Sequence, residues 1–247
     1  VSLALAHKRR ILAGGVAALA AATAADALPY SPGEALNSPA NARKHTALME
    51  AALDQDLARL SDMSGRNAAR QDLKRDELLP KYDDYIQRYL QSGLVFPNRV
   101  LVQVMIWLFD TAQLDDALAL ADIAIEQKQV MPEGFKRRDI QTFVADAVLE
   151  WAEQEHQQRR SPEPYLSDLV HRVDGEWVVP EQVQAKYHKL IGIRAMEAQP
   201  KEWATALLHL ERANELYPKS GVGTRIDNCR KALRKAETAQ AAAAGTP

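Results

Sequence analysis

The chain has 247 residues, 47% of them hydrophobic, and its 31 Lys and Arg nearly balance 33 Asp and Glu for a formal net charge of -2. Such a length holds one substantial core with appendages or two small domains, and so even a charge leaves any attraction to a polyanion to local patches. The one cysteine, Cys229, excludes an internal disulfide and a thiolate metal cluster.

The basic run His7-Lys8-Arg9-Arg10 and the alanine-rich stretch 11–25 outwardly resemble a secretory signal. That stretch contains Gly14 and Gly15 and only Ile11, Leu12, Val16 and Leu19 as larger apolar residues, so it reads as a basic, alanine-rich arm. A membrane span would need about 20 strongly apolar residues, and none is expected. Residues 28–40 hold three prolines and one glycine and read as a linker.

A helix is predicted over 42–63, where Leu48, Met49, Ala52, Leu53, Leu57 and Leu60 form an apolar stripe at spacings of three and four. Ser64-Gly65 breaks it, and a polar helix follows over 66–79, stopped by Pro80. Two charged helices with a narrow stripe suit a helical hairpin or a coiled-coil seam, either of which serves self-association. Leu48, Met49, Leu53, Leu57 and Leu60 are the candidate oligomerisation residues.

From Pro80 the pattern is that of a compact domain. Tyr82, Tyr85, Ile86, Tyr89 and Leu90 share one helical face, ended by Ser92-Gly93. Residues 99–110 are almost continuously apolar, as in a central buried helix. Helices are also expected over 114–129, 139–157, 181–196, from about 201, and over 223–239. Asp174-Gly175 lies between short valine-containing runs and predicts a small β-hairpin within 170–179. The alanine-rich tail 239–247 is expected to be disordered.

Two of these helices repeat each other. Ala117, Ala121 and Ala124, with Leu118, recur as Ala206, Leu210 and Ala213, with Leu207, and Pro218 closes the second copy. This is the spacing of the second helix of a tetratricopeptide unit, where small residues admit a neighbouring helix. Such pairs stack into surfaces that bind macromolecules. The fold class expected is therefore mostly α: antiparallel helix pairs with tetratricopeptide-like packing, an N-terminal helical hairpin and one β-hairpin insertion. The expected divisions are an arm and linker at 1–41, a helical segment at 42–79, a repeat-like domain at 80–238 and the tail 239–247.

Catalytic motifs are not evident. The glycines form neither a P-loop nor a dinucleotide fingerprint, and the six histidines lack zinc-site spacing. Asp115 and Glu126-Gln127-Lys128 could be written as a nuclease string, but Glu126 and Lys128 lie two apart on a predicted helix and diverge. A nuclease centre built from distant acids would have to draw on Asp83, Asp84, Asp110 and Asp115. No catalytic residue, metal ligand or cofactor is assigned.

Basic clusters carry more information. Besides Lys8, Arg9 and Arg10 on the arm, Arg66, Arg70 and Lys74 fall at i, i+4 and i+8 on one helix face. Lys136, Arg137 and Arg138 follow Met131-Pro132, and Lys219, Arg225, Arg230, Lys231, Arg234 and Lys235 enrich the C-terminal helix. Short basic runs also merely solubilise helices, but four separate patches on a near-neutral chain favour phosphate contacts, each of which releases a condensed counterion.

In the same order along 42–236, the runs Glu77-Leu78-Leu79-Pro80, Val104 to Thr111, Ala117 to Ala121, Met131-Pro132 with Phe135 to Arg138, Val179-Pro180-Glu181 and Ala185 to Lys189 resemble the small terminase subunits of temperate tailed phages, also called terminase endonuclease subunits. The resemblance implies a role in the host bacterial cytoplasm in packaging viral DNA. It implies binding of double-stranded viral DNA at the cohesive-end site, a large subunit carrying the ATPase motor as partner, and assembly into a homo-oligomer, possibly ring-shaped. The family label makes such chains the endonuclease subunit, but no nuclease centre is legible in these residues, so cutting is expected to reside in the large subunit. The basic clusters put Lys8, Arg9, Arg10, Arg66, Arg70, Lys74, Lys136, Arg137 and Arg138 on DNA. A protein-interaction adaptor that never touches DNA is the competing reading.

Overall fold

The computed structural model describes residues 39–135 and 139–244, which divide into two compact units with the boundary after Ile140. The described residues are helical throughout their regular structure, with no strand among them. In the first unit α1 spans Pro39–Asp62, α2 Asn67–Leu73, α3 Leu79–Ser92, α4 Arg99–Asp110 and α5 Leu114–Glu126. The second contains α6 (Ile140–Gln157), α7 (Tyr165–His171), α8 (Glu181–Glu197), α9 (Trp203–Leu216) and α10 (Gly223–Ala244).

The first unit is organised around α4, whose residues Val100 to Trp107 are all buried because nearly every side chain is apolar. Asn98 starts this helix by accepting a hydrogen bond from the Leu101 amide at 3.0 Å. Helix α1 lies antiparallel to the arm formed by α2 and α3, as the partners Arg59–Glu77, Asp56–Lys81 and Thr46–Tyr85 show. The expected N-terminal helical hairpin is therefore present. Its buried face, with Ala42, Thr46, Leu53, Asp56 and Leu60, follows the helical period.

Pro80 does not stop the second arm, contrary to expectation. Residues Lys74–Leu78 form a wider turn in which the Leu79 amide reaches back to the Lys74 carbonyl. Proline lacks an amide donor and crowds the carbonyl four residues earlier; the wide turn just before it relieves both problems. The arm runs on to Ser92, where Gly93 at φ 69° ends it. Three tyrosines of α3 then cross-link the unit: Tyr82 donates to Asp56 at 2.6 Å, Tyr85 pairs with Thr46 at 3.2 Å and Tyr89 donates to Gln127 at 2.6 Å.

In the second unit α8 and α9 form the tightest pair. A Cβ on Gly192 would lie 2.7 Å from Leu210 Cγ and 3.2 Å from the Ala206 carbonyl oxygen, so only glycine permits this approach. Ala206, Leu210 and Ala213 are fully buried there, as Ala117, Ala121 and Ala124 are in α5. Val222, just before α10, and Ile226 and Cys229 within it complete the apolar cluster around Ala206 and Leu210, so the cysteine is a packing residue.

Two further expectations are corrected. Residues 170–179 are not a β-hairpin: α7 leads into a wide turn at Arg172–Glu176, closed by the Trp177 amide on the Arg172 carbonyl at 2.8 Å. Val170 and Val173, three apart, are both buried, a helical placement that alternating strands would not give. The tail is helical through Ala244, because alanine has the highest helix propensity and continues α10. The arm 1–38 lies outside the described residues, as do 136–138 and 245–247.

Candidate nucleic-acid interface

At the C-terminal end of α1 the chain turns through residues 63–66 and re-enters helix at Asn67. Arg66, in this turn, is exposed, and Arg70 one helical turn later is half-buried. The side chain of Lys74 turns inward, only 9% exposed, and its Nζ meets Asp110 Oδ2 at 2.6 Å. Arg66, Arg70 and Lys74 thus do not form one solvated face. They descend from the surface to the floor of a cavity.

That cavity, about 340 Å³, is bounded by Ser61, Ser64, Arg70, Lys74, Asp110 and Phe135 among others. Arg70 Nε is fully buried and has no hydrogen-bond partner. A guanidinium keeps its charge at any physiological pH, and a buried donor left unpaired costs about 1–3 kcal/mol. The neighbouring cations are differently engaged: Arg59 pairs with Glu77 at 2.7 Å, which holds that carboxyl below its usual range, and Arg75 pairs with Asp72 at 3.3 Å.

The remaining sequence candidates are scattered. Lys8, Arg9, Arg10, Lys136, Arg137 and Arg138 fall outside the described residues, although Phe135 on the cavity wall immediately precedes the latter three in sequence. Lys219 is exposed in the turn after α9; on α10, Lys231, Arg234 and Lys235 are exposed and Arg230 pairs with Glu211 at 2.6 Å. Of the stripe on α1, Leu53 and Leu60 are buried within their own unit, Met49 and Leu57 are half-buried, and Leu48 is 55% exposed. The acids weighed for a nuclease centre are engaged singly, Asp83 by Gln87, Asp84 by Arg88 and Asp110 by Lys74. Among the described residues no three His, Cys, Asp or Glu are grouped to hold a metal ion.

Comparison with known proteins agrees with the resemblance read from the sequence. The family described as phage small terminase subunit matches residues 50–182, more than half of the chain. The chain belongs to that family. It is 35% identical over 194 residues to the "Probable terminase, endonuclease subunit" of Haemophilus phage HP1 (strain HP1c1), covering 74% of this chain and 68% of that protein. It is 28% identical over 161 residues to the "Terminase, endonuclease subunit" of Escherichia phage P2, covering 65% and 64%. The chain thus spans about two thirds of the length of either relative. No solved structure matches it. Membership places this small terminase subunit in phage genome packaging, and none of its described helices is long and apolar enough to cross a membrane.

Sequence reasoning singled out Lys74 as a cation but not its pairing with Asp110, which it weighed only as a nuclease acid. The available signal was its position: Asp110 is a lone acid ending an apolar helix, close to the burial that would trap a cation. It also missed a polar cluster in the second unit of the small terminase. Arg212 donates to both oxygens of Asp174, from Nε at 2.7 Å and Nη2 at 2.8 Å, and His188 Nε2 lies 2.9 Å from Oδ2. His188 Nδ1 faces His209 Nδ1 at 2.9 Å. The Arg212 hydrogen bonds hold the Asp174 carboxyl below its usual range, while burial lowers both histidines. No local pattern announces four residues so far apart in sequence.

Proposed function

We propose that this small terminase subunit binds double-stranded viral DNA at the packaging site and presents it to a large ATPase subunit. The observation that carries this reading is the cationic end of the first unit, where half-buried Arg70 and buried Lys74 line one cavity and exposed Arg66 lies four residues before Arg70. Lys8, Arg9, Arg10, Lys136, Arg137 and Arg138 add backbone contacts that position without specifying sequence. The relatives' names carry "endonuclease"; in this reading the word describes the assembled complex, with cutting by the large subunit and site recognition by this chain.

Self-association raises the avidity of weak phosphate contacts. Leu48, with half-buried Met49 and Leu57, is the part of the α1 stripe left to meet another copy in a homo-oligomer, a ring among the forms it can take. Each unit offers its own helix pair, α4–α5 in the first and α8–α9 in the second, as a tetratricopeptide-like face for the motor, and the complex works in the host bacterial cytoplasm.

A mobility-shift titration with cohesive-end DNA tests this, run with and without magnesium and the large subunit. A shift without cutting by this chain alone, and a loss of affinity with rising salt, is expected. Cutting by the chain alone with magnesium would assign the nuclease here, and no shift under any condition would favour the protein adaptor. Arg66→Ala should lower DNA affinity across all sequences and reduce the salt slope by about one contact.

A further inference from the structure

We propose that the cavity between Arg70 and Lys74 is a seat for a single phosphoryl group, and that Asp110 is a built-in competitor which holds Lys74 until the phosphoryl displaces it. The inference deepens the DNA-binding reading and rests on it for the identity of the natural ligand.

Three features of the cavity support it. Arg70 lines the wall and its Nε–H is buried without a partner, so the side chain has donor capacity to spare, and a guanidinium that turns toward the cavity matches two oxygens of one anion at once. The Lys74 ammonium is held in place by burial, whereas Asp110 is 38% exposed and can withdraw to water. Ser61 and Ser64 add hydroxyls to the same lining. A carboxylate at Asp110 reaches the lysine through one oxygen and leaves Arg70 Nε unpaired. A phosphoryl group carries enough oxygens to engage both cations. With Asp110 in place the three charged groups sum to one positive charge; with it withdrawn they present two.

A structural ion pair would show the opposite response to loss of Asp110. Removing the carboxylate from a purely structural pair leaves ligand affinity unchanged and costs stability, because it strands Lys74. Removing a competitor strengthens binding. The discriminating variant is therefore Asp110→Asn, which keeps the shape and discards the charge.

The test uses the full chain at fixed low ionic strength, with inorganic phosphate by calorimetry and cohesive-end duplex DNA by fluorescence anisotropy. The duplex is made with and without 5′-terminal phosphates. Asp110→Asn should tighten phosphate and DNA binding several-fold, and Arg70→Gln should weaken both about tenfold. Sensitivity to the terminal phosphate would identify an end monoester as occupant, and insensitivity a backbone diester; both support the seat. Variants that melt as the wild type does, yet leave phosphate and DNA affinities unchanged while the wild type still binds DNA, would overturn the seat alone. Wild-type protein that binds phosphate at this cavity but never shifts DNA would keep the seat and sink the DNA reading. Should Arg70→Gln fail to fold, Asp110→Asn decides by itself.

Discussion

Each unit has an ion pair with one buried partner and one that reaches solvent, and the two pairs are built differently. In the second unit Asp174 accepts both Arg212 nitrogens and lies beside His188 Nε2, which in turn leads to His209, so every charge in the cluster has partners. In the first unit Lys74 meets Asp110 through one contact beside a cavity, with Arg70 Nε unpaired next to it. A closed network of this kind fixes structure, since its members satisfy one another. An open one keeps hydrogen-bonding capacity for a ligand. The contrast separates a device of stability from a candidate site without appeal to sequence motif.

Breaking the closed network should have the largest effect. Asp174→Ala leaves Arg212 and His188 without their acceptor, and urea denaturation should show a loss of about 3 kcal/mol, below the upper end for buried pairs because Arg212 is 42% exposed. Gly192→Ala strikes the same unit through packing: the new methyl overlaps buried Leu210, and a loss of about 2 kcal/mol is expected in the same measurement.

Acid should also distinguish the pairs. His188 and His209 have folded-state pKa values lowered by burial, so the fold favours their neutral forms. Their contribution is complete above the unfolded value of about 6.5 and is lost as pH falls below it. The groups facing them, Arg212 and His171, lower the pair or one member further, while Asp174 opposes this at His188. Asp174, itself lowered by Arg212, adds a second loss at still lower pH. Thermal midpoints should therefore drop between pH 7 and 5, and His209→Asn should flatten that drop while keeping a hydrogen-bonding group near His188. The smallest stability effect is expected at the open pair: Asp110→Asn should stay within about 1 kcal/mol of the wild type by urea denaturation, because Asp110 reaches solvent and the asparagine amide oxygen still accepts from Lys74.

Much of the helical layout was legible in the residues. The run Val100 to Trp107 admits only a buried helix, the tyrosine face of α3 appears where its period places it, and the spaced alanines of α5 and α9 are buried. Errors arose where a local rule met a longer-range constraint. Pro80 signals a stop, yet a widened turn carried the helix through; Asp174-Gly175 signals a hairpin, yet Asp174 is held by Arg212, 38 residues away. Of the site, the cations Arg66, Arg70 and Lys74 were visible as an i, i+4, i+8 series. Their unequal depth was not, because the same spacing serves a solvated face equally well.

Hydrophobic period, alanine spacing and the order of short runs determined by themselves that this chain is helical and belongs with the phage small terminases, since these depend on residues near one another along the chain. Which charges are buried, and which are left open, was decided only by tertiary structure. Burial of Lys74 depends on α4 lying against the wide turn that Lys74 opens, and the pairing of Asp174 on α9 reaching the turn after α7. Desolvation and partner geometry belong to the packed elements, and no single element's sequence contains them.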